Sequence, residues 1–509
     1  MTDTRRPAPS LTVSALWLLV GKTLGYAVMF LLPVLLVRRL SQHDFGVYKQ
    51  LFLVISTAVM LLPLGFGMSA YYFLPRLRVR RERVALNILL VHAALSGAAA
   101  ALLIVRPGML VTLFGDPQLV GYAPLIGLVI LLWIPSSCLE TLAVANGEPR
   151  IAASSIVLLQ LSKAVCLWVA AFVWGTVHAV VLAAAVHGVV QSTALAVYVW
   201  SRFPGVWRAW DRGMLRAQLT YALPLGAAGL LYWVQVDLHK YLVAHRFDAA
   251  TFAIYAIGCF EMPLLGIMNE SVGSVLIPRV SQLQKDGRRT AIIRLAAEAM
   301  RKLAFVYFPL FALLAVAGEE LIAVLFTTQY LAAWPIFAIN ILLIPFSIPT
   351  TACDAVIRAY AEHRFFLVRM RVVSTVLMVG ALWFGLRYFG LIGAISVVVG
   401  TNLLERLLIA WKAARVLQVS RGDAPLLGDV GKVTVAATAA GLAAAAMKVA
   451  MVGASPAAIL VACAVVAGIV YAAFVLALRV PRTEEWQQVA ALAARVGVRP
   501  VLTAAPERR

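Results

Sequence analysis

Three lysines lie inside long apolar stretches of the sequence, where a charged side chain is costly. Lys22 and Lys163 each lie about ten residues into a run long enough to cross a bilayer, and Lys49 lies near the end of another. A charge at such a depth costs about 2.5 to 3.5 kcal/mol on insertion scales, so it normally faces protein or water and marks a functional site. Lysine offers a compact charge with rotatable donors, which suits phosphate binding. The alternatives are snorkelling to an interface and an internal ion pair.

Acidic side chains in the apolar runs are candidates for binding a coupling ion. Glu140 and Glu261 lead this group, which also contains Asp237 and Glu270. Glu261 and Glu270 are nine residues apart and would face roughly opposite sides of one continuous helix. Lys240 is a fourth candidate for substrate binding. Because it lies three residues after Asp237, the alternative is a local ion pair between the two.

Other polar residues in the apolar runs have simpler explanations. Asp354 and Arg358 lie four residues apart, and we expect them to neutralise each other. His92 and His187 could relay protons or pack as buried histidines. The five cysteines form no CxxC pair and lie in apolar segments, so we predict core residues, with neither a disulfide framework nor a metal site.

The composition indicates which elements must position these side chains. Of the 509 residues, 62% are hydrophobic and 13% are charged, whereas about 25% are charged in ordinary soluble domains. Spans need about 20 apolar residues, and by this rule we predict an all-α polytopic membrane protein with about fourteen spans. The first, near 11–37, is expected to be a retained span, and the last lies near 456–478.

The basic residues predict an orientation for these spans. The net charge of +21 would suggest nucleic-acid binding in a soluble protein. Here, however, the Lys and Arg residues lie between the apolar runs and are not gathered in one domain. With the N-terminus inside, 35 of the 44 basic residues lie on the cytoplasmic side and 8 on the opposite side, and Lys163 lies within a span. Both termini are therefore predicted to be cytoplasmic, with no nucleic-acid partner. The basic segment Lys285–Lys302 is also predicted to form an amphipathic helix on the membrane surface.

A segment rich in Trp and Arg divides the spans into two halves. Trp200–Gln218 interleaves three tryptophans with four arginines, a mixture that favours the headgroup zone. From this boundary we predict an N-terminal lobe at 1–205, a cytoplasmic linker at 206–217, a C-terminal lobe at 218–420, two further spans at 421–480 and a cytoplasmic tail at 481–509.

The two halves share a local repeat. Arg39, Phe45, Val47 and Tyr48 recur 207 positions later as Arg246, Phe252, Ile254 and Tyr255. Since six spans separate the two units, both enter the membrane in the same direction. This arrangement predicts a parallel repeat, which is common in transporters.

The segment GKTLGYAVMFLLPVLLVRRLSQHDFGVYKQLFLV (Gly21–Val54) resembles the Wzx-type polysaccharide flippases of the multidrug/oligosaccharidyl-lipid/polysaccharide exporter superfamily. The resemblance implies two pseudo-symmetric six-helix lobes around a central cavity, with two additional C-terminal helices. It also implies alternating-access translocation of undecaprenyl-pyrophosphate-linked oligosaccharide to the periplasmic leaflet, for O-antigen, capsule or exopolysaccharide synthesis. The implied location is the bacterial inner membrane. The implied partners are this cargo, membrane lipids and polysaccharide polymerase machinery, and we expect a monomer.

Two other functions are weighed against this one. A membrane-bound enzyme would need a large loop domain with paired carboxylates or a metal, but no loop exceeds about 25 residues, so we expect no enzyme. The alternative is a cation-coupled multidrug exporter, or an exporter of another lipid-linked precursor, in the same superfamily. Deep lysines favour an anionic cargo over a cationic drug. We expect no cofactor beyond coupling to H⁺, Na⁺ or the membrane potential.

Overall fold

The chain is helical throughout the part that the structure describes. The computed structural model describes residues 11–77, 80–360, 362 and 364–480, and helix is the only regular secondary structure in these residues. The prediction of an all-α fold is confirmed.

The first nine α-helices are α1 (Leu11–Leu36), α2 (Gln42–Leu61), α3 (Ser69–Phe73), α4 (Arg81–Val105), α5 (Met109–Phe114), α6 (Ala123–Ser136), α7 (Cys138–Ala145), α8 (Pro149–Trp174) and α9 (Val177–Arg202). They are followed by α10 (Arg212–Arg246), α11 (Ala249–Gly258), α12 (Pro263–Lys285), α13 (Arg289–Phe326), α14 (Trp334–Asn340), α15 (Leu343–Ala359), α16 (Arg364–Val416), α17 (Gly428–Ala450) and α18 (Pro456–Ala477).

The number of membrane spans depends on how interrupted helices are counted. Within the described residues, 11 helices are long and apolar enough to cross a membrane, and two broken helix pairs raise this number to 13. The predicted count of fourteen is not confirmed, because Phe365–Val416 counts as one helix of 52 residues. Gly390 interrupts this helix with φ 56° and ψ −134°. Each arm of about 25 residues exceeds the roughly 20 that a span needs, so fourteen stays a prediction.

The repeated sequence adopts the same local conformation in both halves. Ser41 before α2 and Asp248 before α11 are 207 positions apart, and both N-cap residues have φ −63° and ψ 163°. Each side chain accepts backbone N–H bonds of the first helical turn, which would otherwise lack partners. Phe45 and Phe252 follow in α2 and α11 and are buried, at 0% and 1% exposure. The local repeat is therefore confirmed.

The two repeated helices α2 and α11 pack closely against each other at their first turns. A Cβ atom at Gly46 would lie 1.8 Å from the carbonyl oxygen of Ala249. Because any side chain there would collide with backbone, only glycine permits this crossing.

Residues Lys285–Lys302 do not form a separate surface helix, so that prediction is wrong. Helix α13 begins at Arg289 and continues to Phe326, with non-helical φ and ψ only at Ala317. Two basic side chains of this segment contact other parts of the unit: Arg289 donates to the Leu417 carbonyl oxygen, and the buried Arg301 donates to the Val480 carbonyl oxygen. Contacts to neighbouring helices thus hold the segment in line with its span.

Contacts divide the chain into two compact units. One contains the described residues up to Pro263 together with Leu325–Ile336 and Arg371–Val398, and the other contains Leu264–Val324, Phe337–Met370 and the described residues from Val399. In the first unit, apolar side chains of α4, α7 and α9 form a buried cluster, and in the second α13, α15 and the end of α16 form another. The predicted lobe boundaries stay predictions.

Within the second unit, an ion pair joins the two C-terminal helices to α13. The Nζ of Lys448, near the end of α17, lies 2.8 Å from Oε1 of Glu320. The same ammonium donates to the Val316 carbonyl oxygen at 3.0 Å, next to the helix break at Ala317. Lys448 therefore neutralises a buried acid and satisfies a carbonyl beside the break.

Candidate functional site

A polar cavity lies among the membrane-spanning helices of the first unit. Its volume is about 380 Å³, and side chains from α2, α6, α7, α8 and α9 line it. Two of the predicted site residues, Lys163 and Glu140, border this cavity. The other polar side chains at its wall are Ser56, Ser136, Ser137, Ser155, Gln160, His187 and Gln191.

Lys163 contributes a positive charge to this cavity. Its Nζ lies 4.7 Å from the centre of the Trp133 ring, a distance typical of a cation–π contact. The Nε1–H of Trp133 donates to the Ala184 carbonyl oxygen at 3.0 Å, which fixes the ring. Among the described residues, no carboxylate lies within 4.0 Å of Lys163. The ammonium therefore keeps N–H donors for a ligand, and the internal ion pair considered above is not formed.

His187 closes one side of the cavity. It is 2% exposed, its Nδ1 lies 3.0 Å from Ser162 Oγ, and its ring meets Trp133 edge to face. These contacts fit a packing role. His187 also borders the cavity beside Lys163, so the proton-relay alternative stays open.

Glu140 borders the cavity just after an interruption of the fourth span at Ser137. Pro135 lies at the end of α6 and removes one backbone N–H donor, and the hydroxyl groups of Ser136 and Ser137 donate to carbonyl oxygens of the preceding turn. Helix α7 then begins at Cys138, with Glu140 in its first turn. The break thereby places a carboxylate on the cavity wall.

Lys22 lies on α1 and does not line the cavity. Lys22 and Glu140 are both within electrostatic range of the Tyr71 hydroxyl. Helix α1 packs closely against α8, because a Cβ at Gly21 would lie 3.0 Å from Ala153. Helix α1 therefore runs along the same helix, α8, that carries Lys163.

A second charged cluster contains Lys240 and Lys49. Lys240 Nζ lies 2.6 Å from Asp237 Oδ1, so the local ion pair is formed. Lys49 lies 5.3 Å from the ring centre of Phe45 in its own helix and is within electrostatic range of Lys240. Glu261 also interacts electrostatically with Lys240. Because Asp237 neutralises Lys240, Lys49 is the ammonium of this cluster with no carboxylate within 4.0 Å among the described residues.

The two acids of the eighth span do not share one continuous helix. The expected continuous helix is broken after Gly258 and resumes at Pro263, so Glu261 lies in the break and Glu270 lies in α12. The expectation of opposite faces on one helix is therefore wrong. Proline lacks the N–H that would continue α11, which explains the restart.

The remaining polar residues follow local rules. Arg358 Nε lies 2.6 Å from Asp354 Oδ2, which confirms that they neutralise each other. His92 is buried and bonded through Nδ1 to the Ile88 carbonyl oxygen at 2.7 Å, as expected of a packing histidine. Within the described residues, no three His, Cys, Asp or Glu side chains form a group that could hold a metal.

Trp133 and Gln160 border the cavity although the sequence did not mark them as site residues. A usable signal exists for Gln160, because Ile156, Gln160 and Lys163 are spaced i, i+4, i+7 and thus share one helix face. Trp133 had no such signal, since its contact with Lys163 joins two different spans.

Comparisons with known proteins agree with this architecture. This chain superposes on the lipid II flippase MurJ in its inward closed conformation with a TM-score of 0.65. The sequence identity is 11%, and the match covers 95% of this chain and 99% of the MurJ chain. An inward-facing multidrug resistance MATE family transporter of the MOP superfamily gives a TM-score of 0.58 at 15% identity, covering 78% of this chain and 98% of that one. At these identities the likeness shows a shared fold.

Sequence relatives identify the family. The EPS I polysaccharide export inner membrane protein EpsE of Ralstonia nicotianae is 23% identical over 278 residues. The matched region covers 52% of this chain, and the chain spans 62% of the length of that relative. The family model for polysaccharide biosynthesis proteins matches residues 35–335, which is more than half of the chain. This protein therefore belongs to the polysaccharide biosynthesis protein family, as its resemblance to polysaccharide flippases predicted.

Proposed function

We propose that this protein translocates an undecaprenyl-pyrophosphate-linked oligosaccharide from the cytoplasmic to the periplasmic leaflet, and that it is a transporter with no enzymatic activity. The observation that carries the proposal is Lys163, a cation without a carboxylate partner among the described residues, at a polar cavity inside the spans. A ligand phosphate would supply the missing partner. The names of its relatives, a polysaccharide export protein and a lipid II flippase, support the same class of cargo.

The cavity suits the pyrophosphate and not the whole cargo. A volume of about 380 Å³ is small for an oligosaccharide with its lipid. Lys163 would supply charge, and the hydroxyl and amide groups of Ser155, Gln160 and Gln191 would replace hydration. The lipid and sugar would extend outside it. Lys22 would add a second positive charge nearby.

A cation-coupled exporter is the alternative, and Glu140 favours it. This carboxylate borders the same cavity and could bind a proton or a sodium ion. Coupling is not required for the proposed cargo. A pyrophosphate carries roughly two negative charges, and moving each outward across about 100 mV releases roughly 2.3 kcal/mol.

The proposed direction of transport assumes that both termini are cytoplasmic. The distribution of basic residues supports this orientation. A reporter fused after Arg83 is expected on the cytoplasmic side, and one fused after Asp116 on the periplasmic side. Inverted signals at both positions would reverse the orientation.

Reconstitution tests the function. Proteoliposomes containing a fluorescent undecaprenyl-pyrophosphate-linked oligosaccharide should show protein-dependent loss of signal from the inner leaflet when an impermeant quencher is added outside. Lys163→Ala should slow this exchange, whereas Lys432→Ala should not, because Lys432 forms an exposed pair with Asp429. If wild-type protein moves no lipid but expels a cationic dye, and Glu140→Gln abolishes dye efflux, the exporter alternative is correct.

A further inference from the structure

A second cavity lies in the first unit between the end of α10 and the part of α16 just before its break at Gly390. Its volume is about 790 Å³. His245 and Arg246 from α10 and Arg387 from α16 line it, together with Trp383 and apolar side chains that include Leu242 and Val379. It therefore combines a basic mouth with an apolar wall, which is the division of chemistry found in a phospholipid.

The positive charge of this cavity is not compensated by protein groups. Among the described residues, no carboxylate lies within 4.0 Å of Arg246 or Arg387. The nearest acid along the chain, Asp248, accepts hydrogen bonds from the backbone N–H groups of Ala250 and Thr251 at the start of α11. Two guanidinium groups thus share one cavity without an anion.

The surroundings of the cavity place it at lipid headgroup depth. Arg387 lies 5.2 Å from the Trp383 ring centre and 5.9 Å from that of Tyr388. Trp383 is 57% exposed and Tyr388 is 66% exposed, and both lie in the last two turns of the first arm of α16. Aromatic side chains exposed at the end of a span mark the membrane interface.

The repeat shows that the basic residue alone does not create such a site. Arg39, the counterpart of Arg246 in the first half, has its guanidinium carbon 4.0 Å from the ring centre of Phe172. In that half, an aromatic ring of the protein covers the arginine. In the second half, Arg246 faces a cavity and is accompanied by Arg387 and His245.

We propose that the cavity binds the phosphate of an anionic phospholipid, with Arg246 and Arg387 as its ligands and the first acyl segment against Leu242 and Val379. Guanidinium groups bind phosphate oxygens through charge-assisted hydrogen bonds. Since Arg246 lies on α10 and Arg387 on α16, one phosphate bridges two helices. A phospholipid is the favoured occupant because the bilayer supplies it continuously at this depth.

Native mass spectrometry of the full-length protein tests this inference, with phosphatidylglycerol as the probe and phosphatidylcholine as the neutral-headgroup comparison. The variant Arg246→Gln, Arg387→Gln should bind phosphatidylglycerol at least about tenfold more weakly, because it loses two charge-assisted contacts. The matched control is Arg106→Gln, an exposed arginine at the end of α4, which should bind like wild type. Arg387→Lys, which preserves the charge, should lose less than the glutamine variant.

Two results would overturn the inference. One is equal phosphatidylglycerol binding by wild type and by the double glutamine variant, at the same melting temperature. The other is wild-type binding that polyprenyl pyrophosphate displaces and phosphatidylglycerol does not, which would assign the cavity to the carrier lipid. Both experiments measure lipid binding and not translocation. A negative result would therefore refute this inference without refuting the proposed function.

Discussion

Lys163 and Lys240 are the same residue type inside membrane-spanning helices, yet the protein treats them differently. Lys240 has an acid three residues away, and the two side chains meet at 2.6 Å. Lys163 lies over the face of an aromatic ring at a cavity and has no carboxylate within 4.0 Å among the described residues. The comparison teaches that depth in a span does not by itself identify a binding lysine. Whether an acid pairs with the lysine decides if it can bind an anion, because a neutralised cation has little charge left for a ligand.

The largest effect is expected on stability, from breaking the pair at Lys240. Lys240→Ala leaves Asp237, 16% exposed, without its cation. Removing one member of a buried pair costs about 3 to 5 kcal/mol, and partial exposure should reduce this to about 2 to 3 kcal/mol. Thermal unfolding in detergent should show the loss.

The control for this prediction is the more exposed pair of Lys432 and Asp429. Lys432→Ala should cost less than about 1 kcal/mol, because exposed pairs contribute little. Equal melting temperatures for Lys240→Ala and wild type would mean that Lys240 is not neutralised by Asp237, and the contrast with Lys163 would disappear.

A smaller effect is expected at the ring that supports Lys163. Trp133→Phe keeps an aromatic face but removes the Nε1–H that donates to the Ala184 carbonyl oxygen. The lost hydrogen bond and the weaker cation–π contact should together cost about 1 to 2 kcal/mol of stability. Trp133→Phe should lower ligand affinity by less than Lys163→Ala does, because the ammonium remains. A Trp133→Phe protein with a greater affinity loss than Lys163→Ala would make the ring, and not the charge, the binding element.

The smallest effect is expected when both members of the Lys240 pair are replaced. Asp237→Asn combined with Lys240→Met removes two opposite charges together, so neither is left without a partner. Replacing a whole buried pair is often neutral, and we expect a stability change within about 1 kcal/mol and normal transport in proteoliposomes. Loss of transport by this folded double variant would assign Lys240 the binding role that we propose for Lys163.

The sequence predicted those features that depend on neighbours along the chain. The i, i+4 pair of Asp354 and Arg358 and the local repeat at an offset of 207 positions are examples, because both follow from residues close together in the chain. The cavity could be predicted only in part. The sequence marked Lys163 and Glu140 as costly charges, but it could not show that Trp133, 30 positions before Lys163, would lie over its ammonium. Such contacts depend on how spans pack.

Helix continuity was the other feature that local reasoning missed. The apolar run from 251 to 277 predicted one helix, although Pro263 marked the position where a new helix begins. The basic run before the ninth span predicted a separate surface helix, but contacts of Arg289 and Arg301 keep it continuous with α13. In both cases apolarity indicated the span, and backbone hydrogen bonding and tertiary contacts decided its ends.

The most direct test of the central claim is the affinity of the purified protein for a soluble lipid pyrophosphate, with geranyl pyrophosphate as the probe. Lys163→Ala should raise Kd by about 10- to 150-fold, because hydrogen bonds to a charged group contribute about 1.5 to 3 kcal/mol. Lys163→Arg should raise it less, since the charge is preserved. The Asp237→Asn, Lys240→Met variant should bind like wild type. An unchanged Kd for folded Lys163→Ala would contradict the claim that this unpaired lysine binds the cargo's pyrophosphate.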